Sequence, residues 1–236
     1  MKAGALVRRL QPSFFLSAPL SFTPSLPRHH GPTLQMDTFL LAILIATGTY
    51  ALNARQQRRR IALLARHLAN YQIEKLMENL TEGYLRALGE SDPQRRDQIW
   101  SLLTTTESQL TDQFNRFTAE FSRVDPAMTR VSRIPVAVPF AHQLFASASF
   151  DMRKALLVHA QGIARAVRNE MGRDARDKAF TLSAELFLMQ HTCHWFCKSK
   201  TVASARMMAR HQTPYDQLVA SVAPETRKAY LALVNG

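Results

Sequence analysis

The chain has 236 residues and a formal net charge of +12, with 30 Lys and Arg against 18 Asp and Glu. It holds only 8 glycines, and from Ser91 onward no stretch alternates apolar and polar residues for long enough to indicate a strand. Both observations argue against an all-β fold rich in tight turns. The positive charge fits anionic lipid or an acidic protein surface, whereas nucleic acid is disfavoured because no recognisable binding module with exposed aromatic residues is present.

The leading segment, residues 1–35, is rich in proline and contains Lys2, Arg8, Arg9 and Arg28 but no acid. Such a segment cannot bury enough apolar surface to offset its ordering entropy, so we predict that it is disordered. Two explanations stay open. Either translation starts at Met36 and the frame is drawn too long, or the segment is an Arg-rich, acid-poor organelle transit peptide. The excess of Arg over Lys is typical of GC-rich bacterial coding and favours the first.

Residues 37–54 (DTFLLAILIATGTYALNA) form an apolar run whose one charge, Asp37, lies at its outer edge. At about 1.5 Å per residue, a helix of this length comes close to the roughly 30 Å hydrocarbon thickness of a bilayer. We therefore predict a single transmembrane helix that acts as a signal anchor. A buried core helix and a cleaved signal peptide are the alternatives, but core helices rarely stay uncharged this long, and a signal peptide carries its basic residues before the apolar core.

A basic cluster follows the apolar run at once, and its members are expected to contact anionic lipid: Arg55, Arg58, Arg59, Arg60 and Arg66. Because arginines hold their flank of a membrane helix in the cytoplasm, the C-terminal domain is predicted to be cytosolic. The expected location is the bacterial cytoplasmic (inner) membrane, or the mitochondrial inner membrane if residues 1–35 are a transit peptide.

Residues 55–90 are predicted to continue the membrane helix as a basic juxtamembrane helix to about Leu88, with Gly89 at its end. Apolar residues recur every three or four positions along it, at Ile61, Leu64, Leu68, Tyr71, Leu76, Leu80 and Tyr84. This stripe slips between Tyr71 and Leu76, so the pattern does not indicate a coiled coil.

Residues 91–236 are predicted to form a small helical bundle. Ser91-Asp92-Pro93 has the capping residue and early proline of a helix start, and Asp125-Pro126 is expected to stop that helix. The stretch from there to Pro139 is predicted to be extended, because residues before proline avoid helical backbone angles.

The remaining chain is predicted to hold two long helices, from about Phe140 to Asn169 and from about Asp174 to Arg210. Apolar residues surround the second between Phe180 and Phe196, as in the central helix of a bundle. Thr213-Pro214 and Ala223-Pro224 are expected to start two short final helices.

The stretch from Ile134 to Phe150 carries no charge, which raises the question of a second membrane crossing. Pro135, Pro139, His142 and Gln143 argue against one, because they interrupt the stretch with helix breakers and polar groups.

The one dense group of metal-ligating residue types is HTCHWFC, which holds His191, Cys193, His194 and Cys197. On a helix the cysteines share one face and the histidines another, so one metal ion could use one pair only. His142 and His159 are the candidates to complete a site from another helix. The competing interpretation is a core segment, since cysteine is often buried as a small hydrophobe.

No phosphate loop, nucleophile elbow or zincin motif is present, and no catalytic set can be assigned. We therefore expect a single-pass membrane-anchored helical protein that docks a partner or acts as a scaffold, without catalysis or cofactor. Membrane lipid is one expected partner, the protein partner is unassigned, and a homo-oligomer stays open. The alternative is a metal- or haem-binding bundle, used in redox or sensing, built on the His191 to Cys197 segment.

Overall fold

The computed structural model describes the backbone of residues 32–236 and the side chains of residues 36–236, except those at positions 142 and 146. In this range the protein is all-α, with a long apolar N-terminal helix followed by a helical bundle, as the sequence predicts. The expectations for the leading segment fall almost wholly on residues 1–31, which lie outside the described residues.

The helices are α1 (Pro32–Leu68), α2 (Ile73–Gly89), α3 (Pro93–Phe121), α4 (Pro126–Thr129), α5 (Ala141–Leu144), α6 (Met152–Val167), α7 (Ala175–Cys197), α8 (Lys200–His211), α9 (Tyr215–Ser221) and α10 (Pro224–Asn235). Two three-residue strands, β1 (Arg130–Ser132) and β2 (Ser149–Asp151), pair antiparallel with Val131 opposite Phe150. A 3-10 turn, Ala146–Ala148, precedes β2.

The chain divides into two compact units within α1. The described part of the first unit is the beginning of α1, up to Ile43. The second unit, Leu44–Gly236, contains the rest of α1 and every later element.

Among the described residues, α1 is the one helix long and apolar enough to cross a membrane. Its most apolar 18-residue window has a mean hydropathy of 1.3, and none of that window is buried. A buried core helix would have its apolar side chains covered, so this exposure speaks against the core-helix alternative.

Helix α1 continues past the apolar run, as predicted, but it ends at Leu68 and not near Leu88. Residues 69–72 form a turn, and three contacts to α3 hold this turn and the end of α1 in place. His67 Nδ1 lies 2.8 Å from one Glu120 carboxylate oxygen, Tyr71 donates to the other at 3.0 Å, and the Gln72 N–H donates to the Gln113 side chain at 2.7 Å. The slip in the apolar stripe after Tyr71 marks this turn.

The bundle is organised around α7. Helix α3 packs on α2 and α6, and α7 packs on α6, α8 and α9, while α10 closes over α6. The residues of α7 from Leu182 to Phe196 are largely buried on several faces, which confirms the prediction of a central helix. The starts of α3, α9 and α10 are also confirmed, and Asp92 caps α3 by accepting from the Gln94 N–H.

Two predicted helix ranges are wrong. The helix expected from about Phe140 to Asn169 is instead α5, a 3-10 turn, β2 and then α6, because Asp151 caps a new helix by accepting from the Arg153 N–H. The helix expected from about Asp174 to Arg210 breaks after Cys197. There Lys198 leaves helical geometry, and the Ser199 side chain caps α8 by accepting from the Val202 N–H. The connection after Asp125, predicted to be extended, holds α4 and β1.

A buried carboxyl joins α7, α6 and α10. Glu185 is fully buried, and one of its oxygens accepts from the Ala223 N–H at 3.1 Å, where α10 begins. Burial raises the pKa of Glu185 to about 7. The close approach requires a glycine on α6: a Cβ on Gly162 would lie 2.4 Å from the other Glu185 oxygen and 2.5 Å from Thr226 Oγ1.

Gly162→Ala is therefore expected to destabilise the bundle by about 1–3 kcal/mol, because the added methyl group overpacks a buried polar contact. Denaturant unfolding of the full chain in detergent, followed by far-UV circular dichroism, measures the change. Gly89→Ala is the matched control, since a Cβ there meets nothing within 4 Å. Equal stability of the two variants would contradict the close packing of α6 on α7 and α10.

Candidate functional site

The second unit contains a partly open, mainly apolar groove of about 880 Å³. Three groups of residues form it, and we refer to it below as the groove. The α1 and α2 wall contains Ile61, Leu64, Ala65, Leu68, Ile73 and Met77; the floor contains Phe114 and Phe117 of α3; the α7 wall contains Met189, Gln190, Cys193, His194 and Cys197.

The α1 wall lies on the part of α1 that follows its apolar run. Ile61, Leu64 and Leu68 lie three and four residues apart, so they share one face of α1. Leu64 is buried, whereas Ile61 keeps 41% of its surface exposed. This face is therefore only partly covered by the rest of the described protein.

The α7 wall carries Met189, Cys193 and Cys197, each one helical turn from the next. The Cys193 thiol lies 3.8 Å from the Met189 sulfur. Sulfur-bearing side chains are polarisable and adapt to irregular partners, so this wall can pack against surfaces of different shapes.

Both thiols in the groove are poorly ionised. Burial raises the pKa of Cys193 well above its usual range and raises the pKa of Cys197 to about 11. A thiolate is the form that attacks electrophiles and binds metals. At neutral pH these cysteines therefore act as apolar lining.

The rim of the groove carries charge of both signs, arranged unevenly. On the α2 side it presents Glu74, Lys75 and Glu78, and on the α7 and α8 side it presents Lys198 and Arg206. The first side is net negative and the second is positive. In a groove with an apolar floor and oppositely charged edges, an elongated ligand that carries both charges binds better in one orientation than in the reverse one.

The HTCHWFC segment lies at the C-terminal end of α7, and the structure separates His191 from the other three candidate ligands. Cys193, His194 and Cys197 line the groove. His191 points toward α8 and α9, where its Nε2 lies 3.1 Å from Ser204 Oγ and its ring packs 4.7 Å from that of Tyr215. Burial lowers the pKa of His191 to about 3, so it is neutral at physiological pH.

His159 lies in a different part of the core. It is fully buried, with Nε2 2.9 Å from Thr192 Oγ1 and its ring 5.5 Å from that of Tyr230. Burial also lowers the pKa of His159 to about 3. The side chain of His142 lies outside the described ones. Among the described residues, no three His, Cys, Asp or Glu side chains are grouped so that they could hold a metal ion.

The basic cluster divides into two kinds of residue. Arg55, Arg58, Arg59 and Arg66 are exposed, and lipid contact stays a prediction for them. Arg60 instead points into the protein, where it donates to the Phe196 carbonyl at 3.2 Å and to the Arg130 carbonyl at 2.7 Å. Its guanidinium also lies 5.5 Å from the centre of the Phe196 ring. This structural role was missed by sequence reasoning.

Some of the positive charges between Lys178 and Tyr215 also have internal partners. Lys178 forms an ion pair with Glu107, a buried carboxylate that also accepts from the Tyr84 hydroxyl. Lys200 lies over the ring of Tyr215, with Nζ 4.4 Å from its centre. Arg206 remains at the rim of the groove.

Comparison with known proteins gives no match: no protein-family model, curated protein or solved structure is significantly similar to this chain.

The state of the two thiols is testable by their reactivity. At neutral pH we expect Cys193 and Cys197 of the native protein to react far more slowly with an alkylating reagent than cysteines of the urea-unfolded chain. The reason is that burial raises both pKa values, whereas an unfolded thiol titrates near about 8.5. The native rate should rise about tenfold per pH unit between pH 7 and 9, following the thiolate fraction. Equal native and unfolded rates at pH 7 would show that a thiolate is present.

Proposed function

We propose that this protein is a single-pass membrane-anchored module that docks an amphipathic helix of a partner protein in the groove, without catalysis of its own. The groove is the observation that carries the proposal. It combines an apolar floor, adaptable sulfur-containing side chains and a charged rim, the features of helix-in-groove recognition.

The anchoring part rests on α1. An exposed apolar helix long enough to span a bilayer, followed directly by exposed arginines, fits a signal anchor whose C-terminal side is cytosolic. The bacterial inner membrane is the proposed location.

The nature of the occupant follows from the groove. Its volume of about 880 Å³ accommodates several large side chains, as one face of a helix supplies at positions i, i+3, i+4 and i+7. Because Lys198 and Arg206 line one edge, the partner helix is proposed to carry acidic residues on that side. The facing edge, with Glu74 and Glu78, favours basic residues on the other.

Topology is tested with reporters fused after Gly236. We expect a reporter that fluoresces only in the cytosol to be active there, because the arginines after the apolar run keep that flank in the cytoplasm. Alkaline phosphatase activity from the same fusion would place the domain on the other side and would contradict the proposal.

Docking is tested by filling the groove without disturbing the core. Ala65 and Ala69 line the groove on α1 and its end, and both are exposed, so Ala65→Trp and Ala69→Trp add bulk to the groove alone. Ala62→Trp is the matched control, because Ala62 is an exposed alanine of α1 that does not line the groove. We expect a photo-crosslinking amino acid at Gln190 to capture one defined protein in native membranes, with capture lost in the two groove variants and kept in the control.

The outcomes separate the occupants. A crosslinked species of twice the chain's mass would show that the groove binds a second copy of this chain, and the proposed partner protein would be wrong. If crosslinking is also lost in the control Ala62→Trp, the loss comes from a general disturbance of α1 and does not support docking in the groove. The proposal also fails if no protein is captured.

A further inference from the structure

A second apolar surface lies apart from the groove, on the long connection between β1 and β2. We refer to residues 134–145 of this connection as the apolar loop. No charged residue occurs between Arg133 and Asp151. Connections on protein surfaces are usually polar, so an uncharged one of this length needs a physical reason.

The apolar loop exposes its large side chains. The exposed fractions are 57% for Val136, 39% for Val138, 40% for Phe140, 69% for Leu144 and 51% for Phe145. These five large apolar groups fall within residues 136–145, and we refer to them as the apolar patch. Exposed apolar surface concentrated in this way marks a contact surface in a soluble protein.

Hydrogen bonds fix this patch beside the end of the membrane run. Asn53 donates to the Ala137 carbonyl at 2.8 Å, and the Gln56 side chain accepts from the Phe140 N–H at 3.2 Å. Asn53 belongs to the last turn of the apolar run, and Tyr50, on the turn before it, is 75% exposed. The apolar loop is thus continuous with the apolar surface of α1 in the same unit.

Part of the loop's backbone is hydrogen-bonded within the protein. Thr201 donates to the Pro135 carbonyl through both its N–H and its hydroxyl, and the turns of α5 pair the amides of residues 143–145. Pro135 and Pro139 have no N–H to satisfy. Arg133, the nearest cation along the chain, is turned inward, where its guanidinium donates to the Leu233 and Ser147 carbonyls. This partial pairing lowers the cost of placing the loop in the interfacial layer, where water still reaches polar backbone groups, and it argues against deeper insertion.

We propose that the apolar loop inserts its side chains into the interfacial layer of the bilayer, beside the point where α1 leaves the membrane. The inference rests on the membrane anchor of the proposed function and is independent of what occupies the groove. The loop does not cross the bilayer, because two prolines and its hydrogen bonds to α1 hold it as a shallow turn. Its partner is the lipid of the same membrane.

The test uses the full chain reconstituted in vesicles that contain anionic lipid. Leu144 is replaced by an environment-sensitive fluorescent amino acid, which leaves both native cysteines unchanged. Leu85 on α2 is the matched control position, since it is exposed to 72% against 69% for Leu144 and does not line the groove. We expect a blue-shifted emission at position 144 that is quenched by lipids spin-labelled near the headgroup, and neither effect at position 85.

Other results overturn the proposal in distinguishable ways. If the chain resists alkaline extraction from membranes but the probe at Leu144 behaves like the probe at Leu85, the anchor stands and the loop inference fails. If the vesicle probe at position 144 is not quenched, and a photo-crosslinking amino acid at the same position captures a protein in native membranes, the patch is a protein contact. If alkaline extraction releases the chain, the anchor fails and the loop inference fails with it.

A second pair of variants tests the loop without a probe. Leu144→Asp is expected to increase protease cleavage of the intact, vesicle-bound protein within residues 134–145, because a buried carboxylate at the interface is unfavourable and frees the loop. Leu85→Asp should leave that cleavage unchanged. Equal cleavage of the two variants would contradict insertion.

Discussion

The contacts of Arg60 join α1 to α7 and to β1, the elements that carry the groove and the apolar loop. One side chain of α1 reaches the carbonyl of Phe196, at the end of α7, and the carbonyl of Arg130, at the start of β1. It therefore fixes α1 against α7, which sets the width of the groove, and against β1, from which the apolar loop departs. Burial lowers the pKa of Arg60, but a guanidinium stays charged at any physiological pH, so this link is permanent. The Phe196 and Arg130 carbonyls are neutral acceptors, and the guanidinium also lies over the face of the Phe196 ring.

The geometry of α7 explains why its His and Cys residues do not assemble. Successive residues of an α-helix differ by about 100°, so residues 191–197 point in several directions around the helix. Different elements cover each direction: α8 and α9 cover His191, and the groove receives Cys193 and Cys197. Ser204 Oγ lies 3.1 Å from Nε2 of His191, and Thr192 of α7 places its hydroxyl 2.9 Å from Nε2 of His159 on α6. The Nδ1 atom of each of these two rings is buried without a hydrogen-bond partner among the described residues. The segment thus supports the packing of several helices at once.

The sequence predicted what local patterns encode. The all-α class, the long apolar helix, the starts at Pro93, Pro214 and Pro224 and the central position of α7 follow from periodicity, proline and capping residues. The breaks at Asp151 and Ser199 were missed because each capping residue sits within an apolar periodicity that continues on both sides. The groove could not be predicted from any local pattern, since its walls come from α1, α2, α3 and α7. The inward orientation of Arg60 could not be predicted for the same reason. Its acceptors, the carbonyls of Arg130 and Phe196, are distant in sequence, so nothing local distinguishes Arg60 from the neighbouring arginines.

A single membrane helix fixes where a domain is but leaves its rotation and tilt free. In the proposed arrangement, the four exposed arginines after the run would add attraction of about 1 kcal/mol each near an anionic surface. This attraction is screened within about a Debye length and hardly depends on orientation. A second apolar contact acts differently, because it is short-ranged and engages only when one face of the domain meets the lipid. In the proposed arrangement the apolar loop supplies that contact on the side where α1 meets β1, while the groove lies farther along α1, between Ile61 and Leu68. A groove held in one orientation loses less freedom when it binds a partner that is itself at the membrane, so the loop would raise affinity without touching the ligand.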